Sequence, residues 1–191
     1  MTTFTADDEI RLLELKRAAS ARGTTENEDD VVAVALAYVA LKDDPDRAIA
    51  ELTRRERLAV RRGVRGGDQF VRQDTPARRR AMALCLHAKY VKETKAGRGA
   101  ADDARLTRAA DDARLALVDA FEECPDAVDV ASALVKMLEA RGDDAIARDV
   151  AARCAACAPG DLHAQTRHAR LCERARVAAL EASLEAEDAE R

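Results

Sequence analysis

Five cysteines and three histidines are the side chains of this chain best suited to metal or nucleophilic chemistry. Cys154-Ala-Ala-Cys157 is followed by His163, His168 and Cys172. Thiolates and imidazoles at such spacings can surround zinc tetrahedrally. However, only five residues separate Cys157 from His163, far fewer than lie between the ligand pairs of a common finger. Free cysteine is also a frequent small core residue, and His168 and Cys172 stand one helical turn apart on a face expected to pack. The reading is therefore core residues, with no metal and no cofactor. A thioredoxin-like use of the CxxC would need a sheet before it, and no stretch alternates apolar and polar residues like a strand.

Other routes to catalysis fail for similar reasons. In Cys85-Leu-His87 the two side chains are two apart, so on a helix they diverge. Ser20, Ser132 and Ser183 lie in helical stretches without a nucleophile elbow. Gly63-Val-Arg-Gly66-Gly67 lacks the Lys-Ser/Thr that would make it a phosphate cradle. Paired acids such as Asp102-Asp103 and Asp143-Asp144 fall in first helical turns, where the helix dipole favours them. The expectation is a protein that is not an enzyme.

Charge is distributed in blocks. Residues 1–46 sum to −6, residues 47–98 to +10 and residues 99–191 to −8, giving −4 overall. Candidate basic-patch residues are Arg54, Arg57, Arg61, Arg62, Arg65, Arg78 and Arg79. Arg57, Arg61 and Arg65 recur every four residues and so share one helical stripe, with Ile49, Leu52, Ala59 and Val60 on much of the opposite side. Such a segment can bind nucleic acid or phosphate, or pair with the acidic flanks of its own chain. Only Phe70 and Tyr90 are available there to stack on bases, which disfavours a single-strand site.

These residues must be carried by helices. Alanine occupies 43 of 191 positions, aromatics are 3% and charged residues 36%, a composition that favours helix. Punctuation divides the chain into eight helices. Thr5, with Asp8 three residues on, starts the first, which ends at Gly23. The second spans about 29–42. Asp44-Pro45 and Thr75-Pro76 start the third and fourth, each pairing a capping side chain with proline at the first helical position. Gly63–Gly67 and Gly97–Gly99 end these two. A fifth helix covers about 101–123, a sixth about 127–141 before Gly142, and a seventh, capped by Asp143, runs to about Cys157 before Pro159-Gly160. Asp161 caps the eighth, with Val177, Leu180 and Leu184 on one stripe. The fold class is all-α.

Pro125 and Pro159 lie 34 residues apart and bracket two helices joined at Gly142-Asp143. This layout resembles the tetratricopeptide repeat, a 34-residue helix–turn–helix unit. Leu134, Ala147 and Pro159 match its signature, whereas Ala131, Val135, Leu138 and Ala151 stand where the family prefers Trp, Gly, Tyr and Phe. Cys154 takes the small position near the end of the second helix. Asp43-Asp44-Pro-Asp-Arg-Ala48-Ile49 echoes Gly142-Asp143-Asp-Ala-Ile-Ala147. The resemblance covers 128–161 best, and 29–62 and 76–127 loosely.

It implies antiparallel helical hairpins stacked as a short solenoid. In a single domain, residues 1–28 form an N-terminal helix and linker, 29–161 the array and 162–191 a capping helix. It also implies a protein-binding scaffold whose groove uses Ser132, Lys136, Glu139, Thr166, Arg170 and Glu173, with a protein partner favoured over nucleic acid. The single asparagine, Asn27, lies outside that groove, so capture of a chaperone's C-terminal carboxylate is not expected. The longest apolar run, Val31 to Leu41, is too short for the roughly 20 residues of a membrane helix. An odd number of cysteines and an acidic N-terminal segment point to a cytoplasmic protein.

Overall fold

A computed structural model describes residues 5–20, 28–61, 75–96 and 103–189. Among the described residues there are eight helices and no strands: α1 Ala6–Ser20, α2 Glu28–Lys42, α3 Pro45–Arg61, α4 Pro76–Lys95, α5 Asp103–Glu123, α6 Val128–Arg141, α7 Asp144–Cys157 and α8 Leu162–Ala189. None of them is long and apolar enough to cross a membrane.

The helix starts follow the capping chemistry of the sequence. The Asp44 carboxylate accepts from the Arg47 N–H at 3.0 Å, the Thr75 hydroxyl from the Arg78 N–H at 3.3 Å, and the Asp161 carboxylate from the Ala164 N–H at 2.9 Å. Each satisfies one of the amides that a helix leaves without an internal partner. Thr5 starts α1 through its carbonyl, which accepts from Glu9, and the Asp8 side chain lies outside the described set. Asp143 departs from expectation. It sits at the N-cap of α7 but makes no side-chain cap bond, and its carboxylate lies 3.7 Å from Arg141 Nε instead. Gly142 closes α6 at φ 79°, with the N–H groups of Gly142 and Asp143 returning to the carbonyls of Glu139 and Leu138. This αL ending suits a residue without Cβ. The glycine turns expected at 63–67 and 97–99 lie outside the described residues.

The chain clusters into two compact units, residues 1–120 and 121–191, with the division inside α5. In the first, α2 packs against α1, α3 and α4, and α3 packs against α4. Val31, Ala35, Ala48, Leu52, Ala81 and Cys85 form the buried cluster, with Leu36, Ile49 and Met82 against it. Small residues at four of the six positions, three alanines and Cys85, favour close approach of the helix axes. Ile10 buries α1, Tyr38 donates its hydroxyl to Glu14 at 2.7 Å, and Lys42 pairs with Asp7. The Arg47 guanidinium lies over the Tyr38 ring, 5.4 Å from its centre, and 3.6 Å from Glu51.

In the second unit α7 packs against α6 and α8, and α6 also touches α8. Its core is Val130, Leu134, Val135 and Leu138 of α6, Ala147, Ala151 and Cys154 of α7, and Ala164 and Leu171 of α8. Phe121 is buried beside Arg153, whose guanidinium is 5.1 Å from the ring centre and holds both oxygens of Glu122 at 2.7 and 3.0 Å. That paired hydrogen bond holds the Glu122 carboxyl below its ordinary value.

Candidate functional site

Ser132, Lys136 and Glu139 recur at four and three residues, which places them along one side of α6. The contact of α6 with α8 brings part of the predicted groove together. Arg167 donates to the Ser132 hydroxyl at 2.6 Å, Arg174 donates to Glu139 at 2.7 Å, and Arg170 stands 3.5 Å from the same carboxylate. Arg174 also reaches Asp144 in the first turn of α7. Glu139 is sheltered by these arginines, while Lys136, Thr166, Arg170 and Glu173 are exposed. The arrangement is a polar ledge. The sheltered Glu139 carboxylate holds Arg174 and stands beside Arg170, Ser132 holds Arg167, and the rim is left open to solvent. Guanidiniums so held can take carboxylates or carbonyls of a peptide laid along the ledge.

Arg167 and Arg174 belong to this ledge but not to the predicted groove. Arg167, Arg170 and Arg174 recur at three and four residues on α8, a helical-face signal that was available in the sequence. What the sequence does not carry is the pairing with Ser132, Glu139 and Asp144, because those contacts span 30 to 35 residues.

The basic segment divides differently. Arg54, Arg57 and Arg61 lie on α3 with side chains outside the described set, and Arg62 and Arg65 lie outside the described residues. Arg78 donates to the Leu52 carbonyl, and Arg79 is exposed in the first turn of α4. Two lysines of α4 meet acids from the N-terminal block. Lys89 binds Asp46 at 2.6 Å, and Lys92 donates to the Asp43 carbonyl with its ammonium 4.0 Å from the Asp43 carboxylate. Flanking acids thus neutralise part of the +10 block.

The thiols and imidazoles do not converge. No group of three possible metal ligands occurs among the described residues. Cys154 is buried and its thiol is pushed up by burial, whereas Cys157 and His163 are exposed. Cys85 is buried too, and burial pushes it up to about 12, which keeps it a thiol rather than a nucleophile. One expectation is corrected. Cys172 is not a core residue: it is exposed, and its sulfur lies 3.3 Å from Nε2 of the half-buried His168.

No protein-family model, no curated protein and no solved structure matches the chain.

Proposed function

We propose that this chain is a non-catalytic protein-binding scaffold, a short array of antiparallel helical hairpins of tetratricopeptide type that takes a peptide segment along α6 and α8. One observation carries the reading: two helix triplets repeat the same set of contacts. In α2–α3–α4 and in α6–α7–α8 the middle helix packs against both neighbours, and the outer two also touch. That is what stacked helical hairpins require, since each pair leaves an apolar face for the next. The positions of the repeat signature within α6 and α7 support it as well, because Ala131, Leu134, Val135, Leu138, Ala147, Ala151 and Cys154 are all buried. Ala131, Leu138 and Ala151 fill the family's aromatic positions with smaller side chains.

The ion pairs of Lys89 and Lys92 with Asp46 and Asp43 favour a protein partner over nucleic acid. The test is capture of binding proteins by the full chain and by a Lys136→Glu/Arg170→Glu variant. Partners retained by the first and lost by the second, at unchanged unfolding temperature, are expected. An identical set of captured proteins from both would remove the ledge from the function.

A further inference from the structure

We propose that the second half of α8 is a self-docking surface, on which two copies of this chain pair their α8 helices antiparallel over Val177, Leu180 and Leu184. α8 has 28 residues, whereas α6 and α7 have 14 each. At 1.5 Å per residue α8 is therefore twice as long as the helices it packs on. Its last buried residue is Leu171, and every residue from Arg176 to Ala186 is exposed. Within that stretch Val177 is 44%, Leu180 57% and Leu184 61% exposed. Single exposed leucines are ordinary, but a spacing of three and four residues aligns these into one stripe. Helical geometry places the stripe opposite Ala164 and Leu171, the residues by which α8 is buried. It faces away from α6 and α7.

The charges choose the occupant and its direction. Residues 167–176 of α8 carry a net +3, through Arg167, Arg170, Arg174 and Arg176 against Glu173; Arg170 and Arg174 are shared with Glu139, and Arg174 also with Asp144, so the basic group nearest the stripe is the exposed Arg176, 4.0 Å from Glu173. Residues 177–191 carry a net −4, through Glu181, Glu185, Glu187, Asp188 and Glu190 against Arg191. A parallel pair would lay acid on acid. Turned antiparallel about a point between Leu180 and Glu181, Val177 meets Leu184 of the partner subunit, and Arg176 comes beside Glu185 of the partner subunit. The stripe is thus self-complementary, as a closed two-fold interface requires. The acidic half also disfavours an anionic bilayer as the occupant. Three apolar side chains per copy are little area beside a standard stable interface, so the pair forms weakly and weakens with salt.

Sedimentation velocity on the full chain, from about 5 to about 500 µM at low ionic strength, tests this over the range where weak pairs assemble. A concentration-dependent dimer that loosens severalfold in high salt is expected. Leu180→Glu/Leu184→Glu should leave a monomer with unchanged unfolding temperature, since both positions are exposed. Orientation is read in a Cys157→Ser/Cys172→Ser background under mild oxidation. Arg176→Cys should couple to a Glu185→Cys chain and not to itself. A monomer at every concentration, a dimer that survives the double glutamate substitution, or self-coupling of Arg176→Cys would each overturn the proposal.

Discussion

Ala48 of α3 and Ala147 of α7 occupy the same place in two separate helix pairs. Each follows by five residues the residue held at positive φ, Asp43 at 49° and Gly142 at 79°, and each is 0% exposed. Each therefore sits one turn into the second helix of a packed crossing pair, with its methyl group fully buried.

Enlarging either alanine should overpack that crossing. Ala147→Leu is expected to cost about 1–3 kcal/mol, and Ala48→Leu a similar amount. Urea unfolding measures both. Loss at one position and none at the other would show that the two turns are not equivalent.

The glycines on either side of α7 should respond in opposite directions. Nothing lies within 4 Å of a Cβ built on Gly142 or on Gly160, so space does not distinguish them. Backbone does. Gly142→Ala forces a side chain into the left-handed region, at a cost of about 1–2 kcal/mol. Gly160→Ala, without that positive φ, reduces the freedom of the unfolded chain and should be neutral or stabilising by up to about 1 kcal/mol. Thermal melts of the two single variants give the comparison.

Helix boundaries were legible because their causes are local. Asp44-Pro45, Thr75-Pro76 and Asp161 each act within one turn, and the structure starts α3, α4 and α8 there. Buried positions such as Leu134, Ala147 and Cys154 could be read from spacing. The division of the chain inside α5 could not, since a continuous helix of Ala, Asp and Arg carries no punctuation at residue 120. Nor could the partners of Arg153 and Arg174. A sequence this rich in both signs of charge offers each arginine many acids, and tertiary approach alone selects Glu122, Glu139 and Asp144.

Alkaline pH should destabilise the fold through Cys85. Burial raises its folded-state value from 9.0 to about 12, so its contribution is complete below about pH 9. Above that the unfolded chain releases the proton while the folded chain holds it. Stability is then lost as pH climbs toward about 12. Tyr38, raised by its hydrogen bond to Glu14, acts in the same direction from its ordinary 10.0 upward. Cys85→Ala should show a shallower fall of unfolding temperature between pH 9 and 12 than the parent chain. Equal slopes would mean that Cys85 titrates normally in the fold.

Thiol labelling should rank the cysteines by exposure. Cys157 and Cys172 react first in the native protein, while Cys85 and Cys154 react only on unfolding. Purified protein should carry no stoichiometric zinc, because Cys154 is closed to solvent and no convergent ligand set surrounds it among the described residues. One metal per chain by elemental analysis, lost in Cys157→Ser, would reverse that assignment.

The basic segment decides between partner classes. On α4, Lys89 and Lys92 are already held by Asp46 and Asp43, so nucleic acid would have to displace those acids before it gained phosphate contacts. Each phosphate it neutralised would add to the salt dependence of binding. Labelled RNA and DNA, titrated at about 50 and about 200 mM salt, should therefore bind weakly at the lower salt and lose that binding at the higher. Asp43→Asn/Asp46→Asn removes the competing carboxylates while leaving the lysines in place. It should strengthen nucleic-acid binding if the ion pairs are what suppresses it. Tight binding by the unaltered chain at the higher salt would place nucleic acid ahead of protein as the partner. No gain in the double variant would show that the lysines of α4 do not face a bound strand at all.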